Sequence, residues 1–125
     1  MITEIAFVAI PVTDIARARK FYESVLELKP TMEAMGGNWI EYEIGPHTIG
    51  LGVHPEWKPS SDGTSTALEV DDFPGTIERL KNEGVKFSMD AIETPVCHMA
   101  IIQDPDGNKL LIHKRKSQET NESGK

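Results

Sequence analysis

Apolar and polar positions along the chain alternate first with a period of two, then with a period near 3.6, and the succession occurs twice. Residues 3–12, TEIAFVAIPV, read as a strand with Val8, Ile10 and Val12 on one face and Phe7 and Ala9 on the other. Pro11 has no N–H to give a ladder, so this strand is expected to lie at an edge or to end there. Asp14 can cap a helix whose inward positions are Ile15, Ala18, Phe21, Tyr22, Val25 and Leu26, with Arg17, Arg19, Lys20 and Glu23 facing solvent. Three strands follow at about 29–35, 38–44 and 47–53, separated by the turns Gly36-Gly37-Asn38 and Gly45-Pro46-His47.

A Pro-, Ser- and Gly-rich stretch, 54–64 (HPEWKPSSDGT), reads as a linker, and then the pattern restarts. STALEV (65–70) is a strand, and Asp72 caps a helix carrying Phe73, Ile77, Leu80 and Lys81 that Gly84 stops. Strands are expected at 85–89, 96–103 and 108–114, the last set in register by the turn Asp104-Pro105-Asp106-Gly107-Asn108. Ile10-Pro-Val-Thr-Asp14 superimposes on Leu68-Glu-Val-Asp-Asp72 at an offset of 58 residues. The pattern therefore predicts an α+β fold of two βαβββ modules whose sheets pair around a central cleft. That makes one domain over 1–115: module 1 about 3–53, the linker, and module 2 about 65–115. The polar residues 116–125, KSQETNESGK, are expected to fray.

Bulk properties narrow the function more than they define it. A net charge of -7 opposes nucleic-acid binding, which depends on neutralising phosphates, and suits a cationic partner. The single cysteine, Cys97, excludes an intrachain disulfide and is read as a small buried hydrophobe. The N-terminus has no basic region or small-residue cleavage site and reads as a strand, not a signal peptide. No apolar run approaches the roughly 18 residues of a membrane helix, so a cytoplasmic protein without membrane partners is expected.

Three segments, in this order and spacing, carry a family resemblance: VTDIARARKFYESVLEL, LEVDDFPGTIERLKNEGVKF and DPDGNKLLIHK. The chain resembles the vicinal oxygen chelate superfamily of glyoxalases, bleomycin-resistance proteins and extradiol dioxygenases. The resemblance implies a cleft lined by both modules, frequent homodimers, and in many members a divalent metal held from the first and last strand of each module. By register those positions are Phe7, Gly50, Ser65 and Leu111. Divalent metals of this class take imidazole nitrogen or carboxylate oxygen, and these four residues supply neither. No cofactor and no metal are therefore expected.

Strand parity offers other candidates. With Ile40, Tyr42 and Ile44 turned toward the helix, Trp39, Glu41 and Glu43 face the cleft, and Glu69 continues the face of Ser65. Gly50 and Gly52 are expected to leave open space, with His54 at the mouth, Trp57 as a lid or packing residue, and His113 on the face of Leu111. An acidic, aromatic-lined cleft suits a planar cation. The expected function is metal-free binding of a small ligand, a cation being the kind that the acidic cleft favours. The alternatives are a glyoxalase-like lyase or isomerase acting on a small metabolite, metal-free or with a displaced divalent metal site and with Glu41 or Glu69 as a base whose pKa burial has raised, and a non-catalytic dimerisation or peptide-binding module.

Overall fold

The computed structural model describes residues 1–116, so from residue 117 on the expected tail lies outside the described residues. The first sheet contains β1 (Val8–Pro11), β2 (Pro30–Ala34), β3 (Trp39–Ile44) and β4 (His47–Gly52), in the order β1-β4-β3-β2. β1 runs parallel to β4, and the other pairs are antiparallel. The second sheet contains β5 (Thr66–Glu69), β6 (Lys86–Glu93), β7 (Cys97–Gln103) and β8 (Lys109–Arg115), in the order β5-β8-β7-β6, again with its first strand parallel to its last. The 58-residue repeat is thus a repeat of topology.

The chain divides into two compact units, the first comprising Met1–Ser61 together with Pro105–Asn108, the second beginning at Asp62. The turn before β8 therefore belongs to the first unit. Its Asp106 accepts hydrogen bonds from Thr13 N (3.1 Å), Thr13 Oγ1 (2.5 Å) and Arg17 Nη2 (2.7 Å), and Asn108 Nδ2 donates to Pro11 O at 2.8 Å. Gly107 sits at φ 85°, a conformation that glycine adopts at little cost.

β1 is shorter than the sequence pattern suggests. Residues 1–7 precede it, and it ends at Pro11 on the sheet edge. The first helix also departs from a regular 3.6 period. Asp14 caps it, accepting from Arg17 N at 3.0 Å, and α1 spans only Ile15–Arg19 before giving way to a π-helical turn, Lys20–Val25. There Leu26 N donates to Phe21 O at 3.0 Å. Phe21 and Tyr22, consecutive in this segment, are both buried, with ring centroids 5.3 Å apart.

In the first unit Ile10, Val12, Phe21, Tyr22, Ile40, Tyr42, Ile49 and Leu51 form the core, and Tyr22 and Tyr42 stack with ring centroids 6.3 Å apart. Tyr42 Oη donates to Glu23 Oε2 at 2.8 Å, and Arg19 Nε donates to the same oxygen at 2.6 Å. Burial first, and then this bond to a carboxylate, pushes the Tyr42 phenol well above its ordinary value. In the second unit α2 (Phe73–Asn82), capped by Asp72, sets Phe73, Ile77 and Leu80 into a core with Cys97, Ala100, Ile102, Leu110 and Ile112. Lys81, grouped with the inward positions in the sequence pattern, is exposed; it pairs with Asp90 at 2.9 Å and lies 5.5 Å from the Phe87 ring centre.

Candidate functional site

Because Ile40 and Tyr42 are fully buried, period-two geometry turns Trp39, Glu41 and Glu43 to the other face of the first sheet. Cross-strand register sets Glu41 opposite Gly50, with Ala9 beyond it, and Trp39 opposite Gly52, with Pro11 beyond. The Trp39 indole folds back over β4. A β-carbon at position 50 would collide with its six-membered ring, and one at position 52 would lie 2.9 Å from both Trp39 Cε3 and Trp57 Cζ3. The glycines therefore do not leave open space, contrary to the expectation from sequence. They are the seat on which the indoles rest.

Trp39 Nε1–H donates to Glu41 Oε2 at 2.8 Å, which satisfies the indole and fixes the carboxylate beside it. Phe7 meets Trp39 edge-on, with centroids 5.3 Å apart and planes at 68°. Trp57 is placed by a short turn in the linker: its N–H donates to His54 O at 3.1 Å, and the two residues form an isolated bridge. Together these residues border an open groove of about 640 Å³ lined by Phe7, Met35, Asn38, Trp39, Glu41, Gly52, Val53, His54 and Trp57. His54 is exposed at the rim, where its Nδ1 accepts from Glu56 N at 3.1 Å.

Of the residues expected on this module, Glu43 and Gly50 are not among the lining residues; Glu43 is exposed and Gly50 lies beneath Trp39. Asn38 and Val53 line the groove without having been anticipated. They are joined by the bond from Val53 N to Asn38 O, 3.0 Å, a loop contact that leaves no trace in hydrophobic periodicity. Met35, exposed at φ 56°, also lines the groove.

The second module carries the other expected residues. Ser65 is exposed just before β5, Leu111 is half-buried on β8, and Glu69 stands opposite His113. His113 Nδ1 lies 2.6 Å from Glu69 Oε1, and Arg115 N donates to Glu69 Oε2 at 2.7 Å. Desolvation raises the Glu69 pKa, but the bonds from Arg115 and His113 outweigh it and hold the carboxyl below its ordinary value. A base role for Glu69 through a raised pKa is therefore corrected.

The four residues that the family resemblance sets at metal positions do not fit a metal. Phe7 and Leu111 have no lone pair, Gly50 is covered by an indole, and Ser65 offers only a hydroxyl. Among the described residues no group of three or more His, Cys, Asp or Glu side chains is arranged to hold a metal ion. No helix among them is long and apolar enough to cross a membrane.

Two four-stranded mixed sheets, each built as a βαβββ module, define the class of fold. The sequence model of the Glyoxalase/Bleomycin resistance protein/Dioxygenase superfamily matches residues 4–112, and the chain belongs to that superfamily. Among solved structures it is similar to a glyoxalase family protein from Bacillus anthracis, at 19% identity and a TM-score of 0.80, covering 93% of this chain and 98% of that one. TnmS3, an antibiotic binding protein from Streptomyces sp. CB03234, matches at 22% identity and a TM-score of 0.76, covering 92% and 98%. A glyoxalase/dioxygenase from Nostoc punctiforme matches at 16% identity and a TM-score of 0.77, covering 91% and 92%. No curated protein matches the chain.

Proposed function

We propose that the protein binds a small, ring-bearing cation in the groove of its first module, without a metal. One observation carries this reading: two indoles and a phenyl ring surround a single carboxylate, and that carboxylate is already oriented. Glu41 Oε2 is engaged by Trp39, while Oε1 has no hydrogen-bond partner among the described residues. A flat ligand would stack on the rings, and its positive charge would sit over their faces and beside Oε1. The chemistry of the family metal positions supports the same reading, since none of them offers an imidazole or a carboxylate. TnmS3, an antibiotic binding protein of similar fold, is in keeping with the binding of a small molecule.

The test is calorimetric titration with proflavine, a planar cation, against 9-anthracenecarboxylate, a planar anion. Proflavine is expected to bind with a submillimolar Kd and the anion to bind more weakly. Trp39→Ala should abolish proflavine binding, and Glu41→Gln should weaken it about 3–10-fold while strengthening the anion by relief of repulsion. Failure of both probes to bind below millimolar concentration rejects the reading. Equal affinity for both rejects the cationic part of it.

A further inference from the structure

The second module holds a polar pair that the groove does not use. β5 and β8 run parallel with Glu69 directly opposite His113, so the pair is set by register and not by a flexible loop. Glu69 is tied at both oxygens, Oε1 to His113 Nδ1 and Oε2 to the Arg115 N–H. A carboxylate held ionised can only accept, so Nδ1 must be the donor. A neutral ring with its proton on Nδ1 carries its lone pair on Nε2. Nε2 has no hydrogen-bond partner among the described residues, and the His113 side chain is 21% exposed. On the same face Met99 of β7 stands opposite His113, Leu111 precedes it by two residues, and Ala67 stands opposite Leu111.

We infer that His113, its Nδ1 fixed by Glu69, presents Nε2 as a proton-accepting subsite for a neutral, partly apolar ligand bearing an O–H or N–H group. The charge on Glu69 disfavours an anion there, and Met99, Leu111 and Ala67 suit an apolar body. Glu69 is the positioning residue: it selects the tautomer and would stabilise the imidazolium if a proton moved from the ligand to Nε2. If the protein performs proton-transfer chemistry, this nitrogen is its base. The inference does not depend on the cation groove, whose residues all lie in the first unit.

Long-range 1H–15N NMR of the intact protein at pH 8 reads the tautomer directly. His113 is expected to show a protonated Nδ1 and an unprotonated Nε2. Glu69→Ala should shift it toward the Nε2–H form that predominates in free imidazole side chains, while the spectra of His47 and His54 stay unchanged and so report an intact fold. Phenol, added as the probe, should move the His113 Nε2 resonance upfield and leave that of His47 in place. An Nε2–H tautomer in the wild-type protein, or a tautomer indifferent to Glu69→Ala, overturns the pair. Phenol shifts confined to Trp39 and Trp57 overturn the ligand class while leaving the groove reading standing.

Discussion

A single atom decides what the first module can hold. Gly50 has no β-carbon, and the Trp39 ring occupies the space that one would take. Gly50→Ala should therefore lift the indole off the sheet, costing about 1–3 kcal/mol by overpacking, with a red-shifted tryptophan emission and loss of proflavine binding. Urea unfolding and fluorescence spectra check it; unchanged emission would mean that the indole has another resting place. A second residue-scale prediction concerns acid. The folded-state pKa of Glu69 lies below its ordinary 4.5, so the stability it contributes is present above that value and is lost as pH falls through the folded one. Glu69→Gln should lower stability at pH 7 and flatten the decline below about pH 4.5, as followed by urea midpoints across pH. Parity made the facing of Trp39 and Glu41 legible in the sequence. The fold-back of the indole was not, because it depends on a diagonal neighbour across the strand pair, and only pairing register brings that neighbour close.

At the scale of elements, the turn Asp104–Asn108 changes meaning once its contacts are known. Its sequence specifies a tight turn and the start of β8, and both are present. The sequence did not show that the turn packs into the first unit. Asp106, whose side chain is 6% exposed, gathers two donors from Thr13 and one from Arg17, residues some ninety positions away. Asp106→Ala would leave the Thr13 N–H and the Arg17 charge without this partner and should cost about 2–4 kcal/mol, against about 1 kcal/mol for Thr13→Ala, both measured by urea unfolding. Near-equal costs would mean that neither the arginine nor the Thr13 N–H adds to the hydroxyl bond. The π-helical turn was likewise hidden. An apolar stripe at i, i+3 and i+4 is compatible with either helix, and the pairs Phe21-Tyr22 and Val25-Leu26 keep the i, i+4 spacing of an ordinary α-helix, so nothing in the pattern marks the wider turn. The turn also carries Glu23, whose Oε2 takes the Tyr42 hydroxyl. Tyr42→Phe should cost about 1 kcal/mol, because Glu23 keeps its bond from Arg19.

For the molecule as a whole, the repeat is the most legible feature and the least informative about chemistry. Two segments 58 residues apart announce the same topology, and both sheets have it. The modules then diverge in side chains on equivalent strands: glycines under indoles on β4, a Glu–His pair across β5 and β8. Net charge acts above both. At -7 the protein attracts cations over distances that no single contact spans, and solvent ions screen that attraction within about 10 Å at 0.1 M salt. If the groove selects a cation through Glu41, two salt-dependent contributions should separate. Raising NaCl from about 0.05 to about 0.5 M should weaken proflavine binding in the wild-type protein severalfold through both the general field and the local carboxylate. In Glu41→Gln the starting affinity is lower and the salt response shallower, because only the general field remains to be screened. The anionic probe should respond in the opposite sense, gaining as repulsion is screened. A salt response identical in wild type and variant would show that the carboxylate takes no part, leaving ring stacking and bulk charge to account for any binding.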